Sequence, residues 1–451
     1  METKTQLAKL GLFDAKVPRY TSYPTAPHFK NDVTSDLYGE WIRSIKEDSQ
    51  ISLYIHVPFC RRLCWFCACR TQGTASASPV AAYVETLKQE LVILKDHLTD
   101  GVTLSRLHWG GGTPTLLEPG MMEDLAGAIF DVAPMAADGE FSVEIDPNEV
   151  DDTRLKTLAD AGMNRASIGV QDFDDEIQKT IGRIQGYDIT RDAVDMIRSH
   201  GVKSLNADIL YGLPHQTNAK ITESVQKLLS LSPDRVALYG YAHVPWMAKR
   251  QQMIPSDALP TPEERLDLFE TARKLFMWDN YDEIGIDHFA TKEDGLSVAL
   301  HNGTLRRNFQ GYTDDTSDVL VGVGASSIAK FPQGFAQNNP STSAHTGAIR
   351  DGKFSTSRGH AFRGEDKLRS RMIEALMCDF KINNAEIRDS FGISEAKLQD
   401  LYRPVLQQFP DMLRLTEDQL FIPQEARPLT RMIARALDAY DMDQAGHSSA
   451  I

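Results

Sequence analysis

The sequence lacks an excess of positive charge. Its 451 residues include 48 Lys and Arg against 63 Asp and Glu, which gives a formal net charge of −15. Nucleic acids and anionic membrane surfaces attract basic proteins, because bound cations release the counterions of the phosphates. The charge balance therefore argues against both kinds of partner, and an anionic small substrate would need a locally positive pocket.

Long apolar segments are also missing. No uninterrupted apolar run approaches the roughly 20 residues that span a membrane. The amino terminus, METKTQLAKLGLFDAK, has neither the apolar centre nor the small-residue cleavage site of a secretory signal. We therefore expect a cytoplasmic protein with no membrane partner.

Cysteine is scarce and unevenly distributed. Four of the five cysteines fall between residues 60 and 69, and Cys378 stands alone. This distribution does not resemble a disulfide framework and is typical of a thiolate site in a reducing compartment. Cys378 lies in an apolar helical stretch, where we expect it to be a core residue.

The cysteine cluster follows a β-branched segment, residues 51–57, that predicts a strand. Cys60, Cys64 and Cys67 have the spacing Cys-x3-Cys-x2-Cys. Three such thiolates can hold three irons of a four-iron, four-sulfur cluster and leave the fourth iron open to a ligand. Structural zinc is the main alternative, but it usually requires a second Cys or His pair that is missing here. Redox-active or inert thiols remain open, and the surplus Cys69 is either a spare ligand or a thiol that transfers a proton or a hydrogen atom.

Strand and helix patterns alternate along the first two thirds of the chain. Consecutive β-α units with short connections predict an α/β fold, in which a parallel sheet curls into a partial, TIM-like (β/α)6 barrel. The predicted strands are residues 51–57, 102–109, 140–145, 165–170, 202–210 and 235–241, and the predicted helices are 79–98, 121–132, 152–161, 174–200, 220–231 and 262–278.

Three regions are predicted from this order. Residues 1–50 form an amino-terminal arm without strong periodicity, in which PRYTSYPTAP is expected to be extended. Residues 51–359 form the barrel and an extension, which is irregular from about 295 to 353 except for a strand and glycine turn in LVGVGASSIAKF. Residues 360–451 form a small, mainly helical, winged-helix-like domain. That domain has no basic cluster, so we expect it to pack against the barrel rather than to bind DNA.

Glycines and polar residues recur where the predicted strands end. The second strand runs into HWGGGTPT, whose glycines let the backbone approach a ligand closely. Glu144, Gln171 and Asp208 lie at or just past the ends of the next three strands. Because the carboxyl ends of parallel strands meet at one rim, we expect these residues to converge on a ligand there.

Together these features resemble the radical S-adenosylmethionine (SAM) superfamily and, more narrowly, the bacterial oxygen-independent coproporphyrinogen III oxidases. The resemblance covers nearly the whole chain and includes PRYTSYPTAP, YIHVPFCRRLCWFCAC, LHWGGGTPT and RRNFQGYT. It implies that Cys60, Cys64 and Cys67 ligate one [4Fe-4S] cluster and that Cys69 is catalytic. It also implies that Tyr54, Gly111, Glu144 and Ile328 contact one SAM, and that a second SAM is bound by Phe66, Gly112, Thr113, Gln171, Arg183, Asp208 and Ala242.

The resemblance implies a reaction as well. The cluster reductively cleaves SAM to a 5′-deoxyadenosyl radical, which takes a hydrogen atom from the β-carbon of a propionate of coproporphyrinogen III. Loss of carbon dioxide and one electron leaves a vinyl group, and reaction at two propionates gives protoporphyrinogen IX for haem biosynthesis. The expected partners are coproporphyrinogen III and a low-potential electron donor of the flavodoxin or ferredoxin type, and the expected enzyme is a monomer.

A tetracarboxylate substrate needs cations on an acidic protein. We hypothesise that Arg19, Arg306 and Arg307 supply them, because the planar guanidinium group suits carboxylates. Ion pairs at the surface, or where the arm docks, are the alternative role of these arginines.

Two other functions stay open on the sequence alone. A haem-handling relative within the radical SAM superfamily, either a haem chaperone or a haem-opening enzyme, would share the barrel and the cluster. A zinc-stabilised binding protein would share only the cysteines. Cys69, the arm and RRNFQGYT favour the decarboxylating enzyme, and the missing second Cys/His pair disfavours the zinc protein.

Overall fold

Strands form the centre of the molecule. The computed structural model describes residues 2–441 and 449–451. In chain order its strands are β1 (Gln50–Val57), β2 (Phe59–Cys60), β3 (Gln72–Gly73), β4 (Thr103–Gly111), β5 (Met135–Ile145), β6 (Arg165–Gln171), β7 (Ser204–Tyr211), β8 (Arg235–Gly240), β9 (Asp282–Ile284), β10 (His288–Ala290), β11 (Arg306–Asn308), β12 (Gly311–Thr313), β13 (Leu320–Val323), β14 (Ile328–Phe331), β15 (Gly334–Asn338), β16 (Thr356–Ala361), β17 (Lys381–Asn383), β18 (Arg414–Leu415) and β19 (Gln419–Phe421).

Helices cover the outside of these strands and build the ends of the chain. In order they are α1 (Glu2–Lys9), α2 (Ser35–Arg43), α3 (Ser78–His97), α4 (Pro119–Val132), α5 (Asp152–Asp160), α6 (Asp175–Ile181), α7 (Tyr187–Ser199), α8 (Asn218–Ser230), α9 (Pro262–Trp278), α10 (Gly295–Asn302), α11 (Thr342–Arg350), α12 (Asp366–Asp379), α13 (Asn384–Phe391), α14 (Glu395–Gln408) and α15 (Thr430–Leu437). Within the described part of the chain, no helix combines the length and the apolar character needed to cross a membrane.

The six predicted strands form the parallel part of one sheet. β1, β4, β5, β6, β7 and β8 pair side by side in this order, and helices connect each strand to the next. β13 pairs with β1 in parallel on the other side, so the strand predicted in LVGVGASSIAKF is confirmed and belongs to the main sheet. The full order is β16-β15-β14-β13-β1-β4-β5-β6-β7-β8-β10-β9.

The sheet is strongly curved. Arg106 on β4 and Arg235 on β8 both approach the carboxylate of Asp314, at 3.1 and 4.0 Å. In a flat sheet, strands four positions apart lie about 19 Å from one another. One carboxylate can bridge them only if the sheet curls. The outer strands β16 and β9 do not pair with each other among the described residues, which leaves the barrel partial, as predicted.

One predicted helix, residues 174–200, is two helices in the structure. α6 ends at Ile181, and Gly182 follows in the left-handed conformation with φ of +69°. Trp65 lies in the segment of the clustered cysteines, residues 60–69, which we call the cysteine loop. It packs against this glycine, and a Cβ there would lie 2.8 Å from the indole ring. The helix therefore breaks at the point where it supports the cysteine loop.

Two regions are more regular than predicted. The extension from 295 to 353, expected to be largely irregular, contains α10, α11 and five short strands. The first 50 residues, expected to lack periodic elements, contain α1 and α2. The strands of the extension have only three to five residues, which is too short for an apolar pattern to reveal them.

The carboxyl-terminal region has its own core. Helices α12–α15 pack with a small antiparallel sheet of order β17-β19-β18, the mixture that the sequence predicted. Leu7, Leu12, Tyr20 and Tyr23 of the arm belong to the same apolar cluster. The arm therefore packs with the carboxyl-terminal helices, while the domain boundaries at 50 and 359 stay predictions.

Helix α3 tests the packing of the barrel wall. Leu87 on its inner face is 0% exposed and Val92 on its outer face is 60% exposed. We expect Leu87→Ala to lower the free energy of unfolding by about 2–5 kcal/mol, because it removes buried methyl groups and leaves a cavity. Val92→Ala is the matched control and should change it by less than about 0.5 kcal/mol in urea denaturation. Equal effects would contradict the burial of this face.

Candidate active site

Three of the clustered cysteines lie partly buried on the loop that follows β1. Burial raises the pKa of Cys60 to about 11, and it also raises the pKa of Cys64, although nearby Arg183 opposes that shift. The pKa of Cys67 is lowered to about 6, chiefly by a side-chain hydrogen bond with Cys69 and against the effect of burial. The amide of Cys69 also donates to Cys67 Sγ at 3.4 Å. The loop thus carries a thiol that ionises readily beside the surplus cysteine.

This donor set suits an iron-sulfur cluster. Among residues 2–441 and 449–451, no three His, Cys, Asp or Glu side chains are placed to share a single metal ion. A four-iron cluster does not require this, because each thiolate binds a different iron. Arg183 Nη1 lies 3.6 Å from Cys64 Sγ and adds a positive charge beside the thiolates.

The glycine segment at the end of β4, residues 110–113, is hydrogen-bonded to the end of β1, which we call the cysteine strand, and to β2. The amide of Gly112 donates to the carbonyl of Val57, and the amide of Thr113 donates to that of Phe59, both at 2.8 Å. A Cβ on Gly112 would lie 2.4 Å from the Phe59 carbonyl oxygen. A Cβ on Gly111, whose φ is +109°, would lie 2.5 Å from a ring atom of His56. Glycine is therefore required for this close approach.

A group of aromatic and acidic side chains lies beside these glycines. Tyr54 stacks on His108, with ring centroids 5.7 Å apart, and its hydroxyl lies 2.9 Å from His56 Nδ1. Glu144 Oε2 accepts from the amide of Gly111 at 2.9 Å, while its Oε1 lies 3.3 Å from His108 Nε2. Burial raises the pKa of Glu144, but these two contacts outweigh burial and lower it overall. Glu144 is thus an ionised carboxylate held at the strand end.

Three further predicted residues are Gln171 at the end of β6, Arg183 after α6 and Asp208 within β7. Gln171 has a φ of +68°, which is unusual for a residue other than glycine and typical of functional sites. Arg183 Nη2 donates to the carbonyl of Gly169, close to Gln171, at 2.9 Å. Burial raises the pKa of Asp208 to about 6, although the amide of Asn206 donates to it at 2.9 Å. Glu144 and Gln171 thus lie at strand ends and Asp208 lies within β7, three residues before its end, while their convergence on a ligand stays a prediction.

Gln251 links two further predicted residues. It is 0% exposed, and its side-chain amide donates to the carbonyls of Phe66 at 2.7 Å and Ala242 at 3.0 Å. Phe66 on the cysteine loop and Ala242 after β8 are thereby held together. Ile328 opens β14, which pairs with β13 next to β1.

Two cavities adjoin the cysteine loop and the end of β8. The first, which we call the cysteine cavity, has a volume of about 670 Å³ and is lined by residues that include Cys67, Cys69, Arg70, Arg250, Ala325 and Ser326. The second, the arginine cavity, has a volume of about 660 Å³ and is lined by residues that include Arg19, Arg265, Arg307, Arg431, Tyr241 and Ala242.

The structure separates the three arginines predicted to bind substrate. Arg19 and Arg307 both line the arginine cavity, where Arg19 donates to the carbonyl of Gly240 at 2.7 Å. Arg307 lies 3.8 Å from Asp287, and its Nε and Nη1 are buried without a hydrogen-bond partner among the described residues. Arg306 is not among the residues that line either cavity, because neighbouring side chains on a strand point to opposite faces.

Several residues of the site were not predicted. His56 and His108 could have been found from their positions relative to Tyr54. His56 lies two residues further along β1, on the same face, and His108 pairs directly with Tyr54 from β4. Gln251, Arg265 and Arg431 carry no local signal. They join the site through contacts with segments far away in the sequence.

Known proteins resemble this chain over its full length. The sequence profile described as the Radical SAM superfamily matches residues 54–228. A protein of Paracoccus denitrificans named oxygen-independent coproporphyrinogen III oxidase is 64% identical over 451 residues, which is 100% of both chains. A protein of the same name from Cereibacter sphaeroides is 57% identical over 98% of each chain. The solved structure of the Escherichia coli coproporphyrinogen III oxidase, described as a radical SAM enzyme, superposes with a TM-score of 0.88 at 32% identity, over 95% of this chain and 100% of that one.

The raised pKa of Asp208 makes the stability of the fold depend on pH. Because the folded state binds this proton more tightly than the unfolded chain, the ionised Asp208 destabilises the fold, fully so above about pH 6. Below about pH 4 the residue is protonated in both states and does not affect stability. We expect Asp208→Asn to raise the free energy of unfolding by about 1–2 kcal/mol at pH 8 and not at pH 4. Urea denaturation at both pH values checks this, with the exposed Asp138→Asn as control. A gain that does not depend on pH would contradict the assignment.

Proposed function

The chain belongs to the oxygen-independent coproporphyrinogen III oxidases of the radical SAM superfamily, and we propose that it converts coproporphyrinogen III to protoporphyrinogen IX. In this reaction two propionate side chains lose carbon dioxide and become vinyl groups without molecular oxygen. The enzyme is an oxidoreductase of haem biosynthesis.

The observation that carries this proposal is the union of the cysteine loop with the glycine segment at the end of the parallel strands. The backbone hydrogen bonds from Gly112 and Thr113 bring Glu144 and Gly111 next to the cysteine loop. A [4Fe-4S] cluster on Cys60, Cys64 and Cys67, once bound and reduced, would supply the cleavage of SAM to a 5′-deoxyadenosyl radical.

The residues of the chain have the tasks of binding and orientation. We propose that Tyr54, Gly111, Glu144 and Ile328 hold SAM, with the ionised Glu144 accepting from its amino or ribose groups. Cys69, which is exposed in the cysteine cavity, is the proposed group for hydrogen transfer. The residues proposed to surround a second SAM are Phe66, Gly112, Thr113, Gln171, Arg183, Asp208 and Ala242.

The arginine cavity is the proposed site of the substrate. Its volume and its arginines suit a tetrapyrrole that carries several carboxylates. It shares Ala242 with the group proposed to bind the second SAM, so the substrate would lie next to the radical chemistry. We further propose a flavodoxin- or ferredoxin-type electron donor, a monomeric state and a cytoplasmic location.

An anaerobic assay tests the function directly. We expect the reconstituted protein, with a reductant, SAM and coproporphyrinogen III, to form two products. These are 5′-deoxyadenosine and a porphyrinogen that is oxidised to protoporphyrin for detection, and both are measured by chromatography. Cys64→Ala should lose both products and the visible absorption of the cluster, because one of three ligands is missing.

Cys378→Ala is the matched cysteine control. Cys378 is buried in α12 and lies outside the cysteine loop, so its variant should keep both products. Formation of 5′-deoxyadenosine without protoporphyrin would reject the substrate and favour a haem-handling relative. Products that survive in Cys64→Ala would reject the cluster assignment.

Substrate binding can be tested at the two neighbouring arginines. Arg307→Ala should raise the KM for coproporphyrinogen III by about tenfold or more, because a charge-assisted contact with a propionate is lost. Arg307→Lys should recover part of the effect, since it keeps the charge but not the planar fork. Arg306→Ala should leave KM nearly unchanged. A KM that rises only in Arg306→Ala would move the site to the other face of β11.

A further inference from the structure

Helix α3 contacts the two segments that follow β1 and β13, where these strands cease to pair. The parallel pairing ends at Ile55 and Val323. Beyond it, the Tyr83 hydroxyl donates to the carbonyl of His56 at 3.0 Å and accepts from the amide of Ala325 at 2.8 Å. The Tyr83 hydroxyl thus joins the two segments at the point where the hydrogen bonds between the strands stop.

Glu90, two turns further along the same helix, holds the adjoining part of this turn. Its Oε2 accepts from the amide of Gly324, and its Oε1 accepts from the side-chain amide of Asn338, both at 2.7 Å. His345 Nε2 lies 3.3 Å from the same carboxylate, which is part of a residue only 1% exposed. A buried carboxylate is strongly disfavoured without such donors, so the network specifies one conformation of the turn.

The turn, residues 324–327, is packed tightly against the cysteine strand. Gly324 has a φ of +98°, and a Cβ there would lie 2.6 Å from the carbonyl oxygen of His56 and 2.7 Å from the Tyr83 hydroxyl. The two residues after this glycine line the cysteine cavity. A displacement of the turn would therefore change the shape of that cavity.

We propose that Tyr83 and Glu90 are positioning residues for SAM: they fix the turn 324–327, which borders the cysteine cavity and runs directly into Ile328, one of the residues proposed to hold SAM, and so set the affinity for this ligand. The inference rests on the proposed function, because it takes SAM as the ligand. Both residues act through backbone amides and need not touch SAM. Neither belongs to the cysteine or glycine motifs.

Two conservative variants test the proposal, and each changes a single polar group. Tyr83→Phe removes only the hydroxyl, and Glu90→Gln replaces a carboxylate oxygen with an amide. In both we expect faster hydrogen exchange in the peptide covering residues 320–331 of the cluster-free protein. In the reconstituted enzyme we expect the Kd for SAM to rise about tenfold, and KM for SAM to rise more than kcat falls.

Thr86→Val is the matched control on the same helix. Its buried hydroxyl bonds to the carbonyl of Ala82 and approaches Thr346, and it does not reach the turn. It should leave both the exchange of the turn and the Kd for SAM unchanged, even if the melting temperature falls.

The outcomes separate this inference from the proposed function. Faster exchange of the turn with an unchanged Kd for SAM would overturn the positioning role and leave a structural one. Unchanged exchange in Tyr83→Phe and Glu90→Gln would overturn the inference at its first step. Failure of the unsubstituted protein to bind SAM would reject the proposed function, and the inference about SAM with it, regardless of the exchange data.

Discussion

The pairing of β1 with β4 is the constraint on which the candidate site depends. Val57 pairs with Gly111, and backbone hydrogen bonds continue this contact into the cysteine loop. A shift of one residue in this pairing would turn every side chain of the strand to the other face. Tyr54 would then leave His108, and Gly112 would lose its hydrogen bond to the carbonyl of Val57. The register of two strands thus sets the geometry between the cysteines and the residues proposed to hold SAM.

Charge is distributed against the overall balance of the chain. The net charge is −15, yet six arginines line the arginine cavity, beside five aspartates and glutamates. Burial, together with Arg19, lowers the pKa of Arg431 to about 9, and the same two causes lower the pKa of Arg265. Buried cations that face one another are disfavoured unless an anion shares the site. In the proposed function, the carboxylates of the substrate would relieve this repulsion, so an acidic protein could still select an anionic substrate.

The sequence predicted best what has a local signal. The six parallel strands and the helix 79–98 were predicted correctly, and the cysteines follow a strand as predicted. The break at Gly182 was missed because the apolar period continues across it, while Trp65 comes from a distant loop. Gln251 and Glu90 were missed because their partners lie 185 and 234 residues away. Arg306 and Arg307 look alike in sequence, and only strand alternation separates them.

Contacts over such long separations also connect the two cavities. Gln251 joins the cysteine loop at Phe66 to the chain after β8 at Ala242, and Ala242 is a wall of the arginine cavity. Its side-chain oxygen accepts from the amide of Val244, so the orientation of the group is determined. A fully buried amide with donors and acceptor satisfied in one arrangement resists rotation. The cysteine loop and the arginine cavity are therefore linked through one buried side chain. In the proposed function, this link would keep the radical close to the substrate carbon that it must reach.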